Sequence, residues 1–326
     1  MSDHYIFSRG RLKRKHNTIY FESGEEGQKA LPVERVDNLH IFGEVDLNSK
    51  LLNLLTKYDV RLHFYNYYGF YTGTYYPRTK NVSGFTVAQQ SMHYLDPKKR
   101  YYMASAFVES GVHHMLRNLR RHKEKTGSYV DTIQAERVKI PDGRTIPELM
   151  GVEGRIRQTY YRSFNEILKS DFIFTKRSKQ PPADPLNALI SFGNSLMYTT
   201  VLAEVYKTAL DPTVSFLHEP SSKRFSLSLD VAEIFKPLIV DPLIVSLVNN
   251  RVIGKKHFED FEGIVLLNDQ GKQRFIQEWE KKLATTVRHR TLKRKVSYRM
   301  FIRLECYKMI KHFIGDEPYR PLKAWW

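Results

Sequence analysis

Residues 60–77 read VRLHFYNYYGFYTGTYYP, and the change of character after them decides the fold. Aromatic and β-branched side chains crowd this run, which suits strands, and Gly69 and Gly73 suit turns or bulges between them. Towards the N-terminus, YIFS predicts a strand, and GRLKRKHNTIYFES predicts a hairpin closed at the polar KHN. LPVERVDNLHIFG is a further extended pair, with Val33, Val36, Leu39 and Ile41 apolar between polar neighbours. Only LNSKLLNLLTKY departs, predicting a short helix that buries Leu51, Leu52, Leu54 and Leu55. Beyond Pro77, from about Thr86, helical patterns take over, over 97–125, 147–170, 184–209, 224–247, 270–286 and 293–314. The expected fold class is therefore α+β: a small N-terminal β-rich domain followed by a larger all-α-helical domain. The expected domains are 1–85, with a linker at 78–85, and 86–326.

The chain has 326 residues, 41% of them hydrophobic, enough for a real core in each domain. Lys and Arg number 52 against 35 Asp and Glu, a formal charge of +17. Such a field draws in polyanions. No apolar run approaches the roughly 18 residues a membrane span needs, and no basic amphipathic helix stands out, so nucleic acid is the favoured partner. MSDHYIFSRGRLKRK does not read as a secretory signal. The single cysteine, Cys306, excludes an internal disulfide and CxxC zinc sites, predicts a buried inert thiol, and fits a cytoplasmic setting. Basic clusters occur at RGRLKRKH, PKKRYY, RNLRRHKEK and RHRTLKRK. Each alone reads as a solvated face; together they favour phosphate contact by at least one. Tyr67, Tyr68, Tyr71, Tyr75 and Tyr76 could stack on bases, though strand tyrosines more often serve a core or a subunit interface.

No P-loop, GxGxxG, HExxH or GxSxG occurs in a fitting context. What remains is acids and a histidine. Glu153 lies in a helical pattern with Val152, Ile156, Tyr160 and Phe164 as its apolar stripe, and an i,i+4 ion pair with Arg157 is its ordinary reading. His218 alone reads as a structural loop histidine. Asp230 and Glu233 are three apart and share a helix face, either a solvated one or part of a metal site. Their neighbours Leu227, Leu229, Val231, Ala232, Ile234 and Phe235 are apolar nearly all round, which predicts burial. Buried carboxylates need a partner, and a cation is one. Two carboxylates with one imidazole suit Mg²⁺ or Mn²⁺ better than a closed zinc site.

Five long stretches, in this order, carry a resemblance: LPVERVDNLHIFGEVDLN (31–48), HFYNYYGFYTGTYYP (63–77), MGVEGR (150–155), PPADPLNALISFGNSL (181–196) and FLHEPSSKRFSLSLDVAEIFKPLIVD (216–241). Together they resemble the CRISPR-associated adaptation (spacer-acquisition) integrases, also described as endonucleases, the first-numbered Cas protein family. The resemblance implies the β-then-helical fold. It also implies a homodimer that captures short foreign double-stranded DNA with a small ferredoxin-like partner and inserts it into the CRISPR repeat. It implies a Mg²⁺ or Mn²⁺ site of Glu153, His218 and Glu233, with Asp230 supporting. The reaction implied is transesterification, in which a DNA 3′-hydroxyl attacks a phosphodiester; water in its place would make the centre a nuclease. Lys223 and Arg224 are implied phosphate contacts, and Asn187 is implied to help position the site on DNA. The chain departs from the family pattern at Lys223, where Gly is frequent, at Asn194, where Tyr is frequent, and at Pro242 in VDP, where VDR is frequent. Two other readings are open: a nuclease on branched DNA, and a non-catalytic nucleic-acid scaffold.

Overall fold

The computed structural model describes residues 2–24, 27–78, 81–140, 145–169, 172–178, 181–220 and 225–326. The chain divides into two units, Met1–Asn81 and Val82–Trp326, so the division falls within residues 78–85.

In the first unit, β1 (Ser2–Ile6), β2 (Gly10–Lys15), β3 (Thr18–Ser23) and β4 (Gly27–Pro32) come first. They are followed by β5 (Val36–Ile41), β6 (Val45–Asp46), α1 (Ser49–Lys57), β7 (Arg61–Tyr65) and β8 (Tyr71–Tyr75). Two four-stranded sheets result, ordered β1-β5-β7-β8 and β4-β3-β2-β6. Lys15 pairs with Thr18, so the predicted KHN turn is the two-residue loop of His16 and Asn17, with His16 at φ 55°. Leu12, Ile19, Leu39, Ile41 and Leu62 of the strands meet Leu51, Leu54 and Leu55 of α1 in one buried core. Each such side chain contributes about 2 kcal/mol on leaving water.

Period-two alternation turns Asn38, His40 and His63 to the other face of the first sheet. There His40 meets Tyr65 Oη at 2.9 Å and Asp3 at 3.4 Å, while His63 meets Asn38 at 3.2 Å and Thr74 at 2.8 Å. These buried polar groups satisfy one another. The tyrosines of the β7–β8 region divide: Tyr75 Oη is 2.6 Å from Thr56 Oγ1, whereas Tyr67 and Tyr68 are exposed.

The second unit begins with α2 (Gly84–Leu95), α3 (Pro97–Arg120), α4 (Lys123–Arg137), α5 (Ile146–Arg162) and α6 (Phe164–Ile167). Then come α7 (Pro185–Val205), α8 (Ser226–Phe235), a π turn over Lys236–Val240, and α9 (Asp241–Asn249). The hairpin of β9 (Phe258–Phe261) and β10 (Ile264–Leu267) follows, and then α10 (Asp269–Ala284). A second hairpin, β11 (Thr286–Arg288) with β12 (Lys295–Ser297), leads into α11 (Tyr298–Phe313). α7 is buried from Leu186 to Met197 and again from Thr199 to Val205, and it packs on α8 and α11. That burial is what its all-round apolar sequence requires.

The two hairpins correct the expectation of an all-helical second domain. Phe261 pairs with Ile264 across Glu262 and Gly263, both at positive φ (53° and 85°), the geometry of a tight hairpin turn. The stretch expected to be one helix over 97–125 also divides, with His122 between α3 and α4. Cys306 is buried in α11, and burial pushes its thiol pKa well up. Among the described residues, no helix is long and apolar enough to cross a membrane.

Candidate active site

His218 stands in the loop before α8, and Asp230 of α8 fixes it there. One Asp230 oxygen accepts from the amides of Phe216 (2.7 Å) and Leu217 (3.0 Å). The other accepts from the His218 amide at 3.0 Å and lies 2.7 Å from His218 Nδ1. The carboxylate is fully buried, so these contacts replace its hydration. With Nδ1 engaged, Nε2 is the nitrogen left for chemistry. Burial is the largest single influence and works against a charged His218 ring. The Asp230 hydrogen bond and the charges of Asp230 and Glu233 together outweigh it and raise the pKa above its ordinary value. Arg100 ties the outer side of the loop, donating to Phe216 O at 2.9 Å and to Glu219 at 2.5 Å.

The second half of the site is built from charge alone. α5 starts with a capping box of Thr145 and Glu148, which sets Glu153 two turns in. Arg157, one turn further, has its Nε 2.5 Å from Glu153 Oε1, and its Nη2 binds Glu233 Oε2. Lys236 donates to the other Glu233 oxygen at 2.7 Å, with its ammonium 4.6 Å from the centre of the Tyr198 ring. Burial alone would raise the Glu233 pKa; Arg157 and Lys236 overcome it and hold the carboxyl well below the usual range. Two carboxylates and two cations thus neutralise one another.

The helix that carries Glu233 breaks after Phe235. Pro237 has no N–H, so regular α-helix cannot run through it, and the chain takes a π turn. His114 and Asn118, one turn apart on α3, meet the carbonyls at the break: His114 Nδ1 donates to Ile234 O at 2.9 Å, and Asn118 donates to Pro237 O at 2.6 Å. His114 Nε2 accepts from the Ala324 amide at 3.0 Å, so the ring joins the C-terminal segment to α8. Gly111 lets α3 come this close, since a Cβ there would stand 2.9 Å from Glu233 O.

Comparison with known proteins gives the family. The family profile described as "CRISPR associated protein Cas1" matches residues 4–281. The chain belongs to the Cas1 family. It is similar to the "CRISPR-associated endonuclease Cas1" of Clostridium perfringens strain SM101, 59% identical over 99% of both chains. It is also similar to the solved structure of a Cas1 protein from Thermotoga maritima, with a TM-score of 0.90 and 42% identity, covering 98% of this chain and 99% of that one. A casposase bound to integration product shares the fold, with a TM-score of 0.87 at 19% identity, covering 99% of this chain and 94% of that one.

In this Cas1-family chain, Glu153 and Glu233 are brought to one guanidinium, and the Glu233 charge reaches His218. Their hard oxygens and the imidazole nitrogen fit a divalent cation by donor type. Arg157 and Lys236 now hold the carboxylates, and among the described residues no group of three or more His, Cys, Asp or Glu side chains stands close enough to hold an ion. By donor type these side chains suit a divalent ion, but as placed they are engaged by Arg157 and Lys236 and form no cage for one.

Lys223 and Arg224 lie outside the described residues. Asn187 requires a correction. It is fully buried; its amide oxygen accepts from Arg177 (2.7 Å) and the Ser178 amide (3.1 Å), and its nitrogen donates to Lys176 O (2.9 Å) and Asp184 (2.6 Å). It anchors Arg177 and has no polar atom left for DNA. Sequence reasoning missed Lys236 and the bridging role of Arg157. The signal for Lys236 was a lone cation inside the apolar run IFKPLIV; nothing local signals that Arg157 reaches a glutamate 76 residues away.

Proposed function

We propose that this chain is a divalent-metal-dependent DNA integrase and endonuclease of the CRISPR system, joining 3′-hydroxyl ends of short foreign DNA into the repeat array. The observation that carries the reading is the pair Glu153 and Glu233 converging on one cation beside an imidazole whose Nδ1 is locked by Asp230. Glu153, Glu233 and His218 Nε2 would hold Mg²⁺ or Mn²⁺, which when bound supplies charge stabilisation at the attacked phosphate.

The remaining work falls to the chain. Asp230, fixed by backbone amides, keeps the His218 ring in one orientation, so Nε2 is presented without reorganisation. Lys236, buried against Tyr198, keeps Glu233 ionised at neutral pH. In the joining step the incoming 3′-oxygen forms a bond to phosphorus. The target strand's own 3′-oxygen leaves, and the proton lost by the nucleophile balances the one gained by the leaving oxygen. With water as nucleophile the same balance gives strand cleavage.

The net charge of +17 supports double-stranded DNA as substrate. The exposed Tyr67 and Tyr68 support a homodimer through the β-rich unit, and the family resemblance supports a small ferredoxin-like Cas partner and a cytoplasmic setting. The test is a joining assay with a 3′-hydroxyl duplex and a repeat-containing target, with Mg²⁺, Mn²⁺ or a chelator. Joined product in metal, absent with chelator and in Glu153→Ala and His218→Ala, is expected. Wild-type joining by both variants would overturn the site, and cleavage without joining would leave only the nuclease. A monomer by light scattering would overturn the dimer.

A further inference from the structure

The β11–β12 hairpin takes no part in the site above, and its charge has no counterweight. Residues 285–297, TTVRHRTLKRKVS, hold five Lys and Arg and no Asp or Glu. Arg288, Arg290, Lys293, Arg294 and Lys295 are all exposed, and among the described residues none of them has a carboxylate partner. Arg288 and Lys295 stand directly opposite each other across the two strands. Like charges in that position destabilise a hairpin.

The hairpin is nevertheless held firmly. His289 Nδ1 accepts from the amides of Thr291 (3.2 Å) and Leu292 (3.1 Å), and the Lys293 amide donates to His289 O at 3.0 Å. The His289 ring stacks on Phe301 of α11. Trp326 also stacks on Phe301, and its Nε1 donates to Tyr298 Oη at 2.8 Å. Arg290 lies over the Trp325 ring, 4.8 Å from its centre. A solvated charged loop requires no such floor; a surface that presents charge at fixed positions does.

The positive surface continues from the foot of the hairpin. Lys282, in the last turn of α10, has its ammonium 5.0 Å from the centre of the ring of Tyr298, the residue that follows β12. Burial first, then the charges of Arg121 and Arg117, hold the Lys282 pKa below its ordinary value; burial and Arg121 do the same to Arg117. The end of α3 attracts Arg117 and Arg121 and the end of α10 attracts Lys282, but neither accounts for gathering all three. RNLRRHKEK and RHRTLKRK, far apart in sequence, thus become neighbours around Lys282 and Tyr298.

We propose that the hairpin, with Lys282, Arg117 and Arg121, forms a second nucleic-acid surface that grips the backbone of duplex DNA and shares no residue with the Glu153, His218 and Glu233 centre. A two-stranded ribbon is narrow enough to enter the major groove of DNA. Phosphates beside Arg288 and Lys295 relieve the repulsion that the free protein carries. Phosphate contacts read no bases, so this surface holds DNA of any sequence. The proposal rests on the duplex-DNA reading above and not on the metal.

The test is binding of a repeat-free duplex by the full chain in chelator, followed by fluorescence anisotropy over a series of salt concentrations. The double variant Arg288→Ser with Arg294→Ser is set against Lys50→Ser with Lys57→Ser, an equal loss of charge from exposed positions of the first unit. The hairpin variant is expected to bind about tenfold weaker or more, and its slope of log affinity against log salt to fall by about 2. Arg121→Gln is expected to lower the slope by about 1, and the control variant to keep the wild-type slope. Arg288→Lys with Arg294→Lys, which keeps the charge, is expected to restore most of the affinity. In thermal melting the hairpin variant, which removes a repulsion, is expected to melt no lower than wild type.

An unchanged slope in the hairpin variant, or an equal fall in the control, overturns the proposal. So does a loss confined to duplex RNA or to self-association by light scattering, which would make the hairpin an RNA or a subunit contact. A wild-type chain that binds no duplex overturns the DNA reading as well. Failure of strand joining in every metal, with the slope difference intact, would sink the integrase reading and leave this surface standing.

Discussion

The two halves of the site hold their acids by opposite means. Asp230 is held by three backbone amides and an imidazole, and Glu233, one turn along the same helix, is held among the described residues by the side chains of Arg157 and Lys236. Backbone donors cannot leave without unfolding the loop, whereas side-chain cations can swing away. The first half is a fixture and the second is an exchangeable charge cluster. A site that must admit a cation and a DNA phosphate needs both: an imidazole that does not wander, and carboxylates that can change partners.

The largest expected effect is on activity. Glu153→Gln should lower strand joining by about 10²–10³-fold, in line with loss of one electrostatic stabiliser. Its stability, by urea denaturation, should stay within about 1 kcal/mol of wild type, because its partner Arg157 keeps Glu233. Glu233→Ala should instead cost about 3–5 kcal/mol, since it leaves buried Lys236 without its carboxylate and Arg157 with Glu153 alone. Asp230→Asn should cost about 1–3 kcal/mol, through amides left without an acceptor. The contrast sharpens with added Mn²⁺: Glu153→Gln and wild type should differ in how far the ion raises the melting temperature, and Asp230→Asn should not recover with any ion.

His114 is the joint between α8 and the C-terminal segment, and burial lowers its pKa to about 3. An unfolded histidine binds its proton near pH 6.5, so between those values the unfolded state holds one more proton than the folded. Stability should then fall as pH drops from about 6.5 towards 3, with a slope of about 1.4 kcal/mol per pH unit from this residue. His114→Asn should flatten that slope in a pH series of urea midpoints; an unchanged slope would remove His114 as the joint. The smallest effect belongs to the outer tie. Glu219→Gln weakens a largely exposed pair with Arg100 and should cost less than about 1 kcal/mol.

Much of this was legible before any coordinates. Leu51, Leu54 and Leu55 announced the α1 stripe, the KHN turn marked the first hairpin, and the apolar neighbours of Asp230 and Glu233 announced buried acids. The resemblance of whole motifs supplied Glu153 as a third member, which spacing alone cannot do across a loop. Glu262–Gly263 was a readable hairpin turn lost among the helical patterns around it. Other features were not written locally. The π turn depends on His114 and Asn118 taking carbonyls from another helix, and the Arg157 bridge depends on α5 meeting α8. Asn187 looked polar and available, yet its amide is consumed by a loop that its own sequence window does not reveal.

The most direct test is anomalous diffraction from a crystal of the full chain soaked in Mn²⁺. One manganese peak per chain, bound by Glu153, His218 and Glu233 with Arg157 withdrawn from both glutamates, is the predicted result. A peak elsewhere, or none while Arg157 still bridges Glu153 and Glu233, would contradict the account.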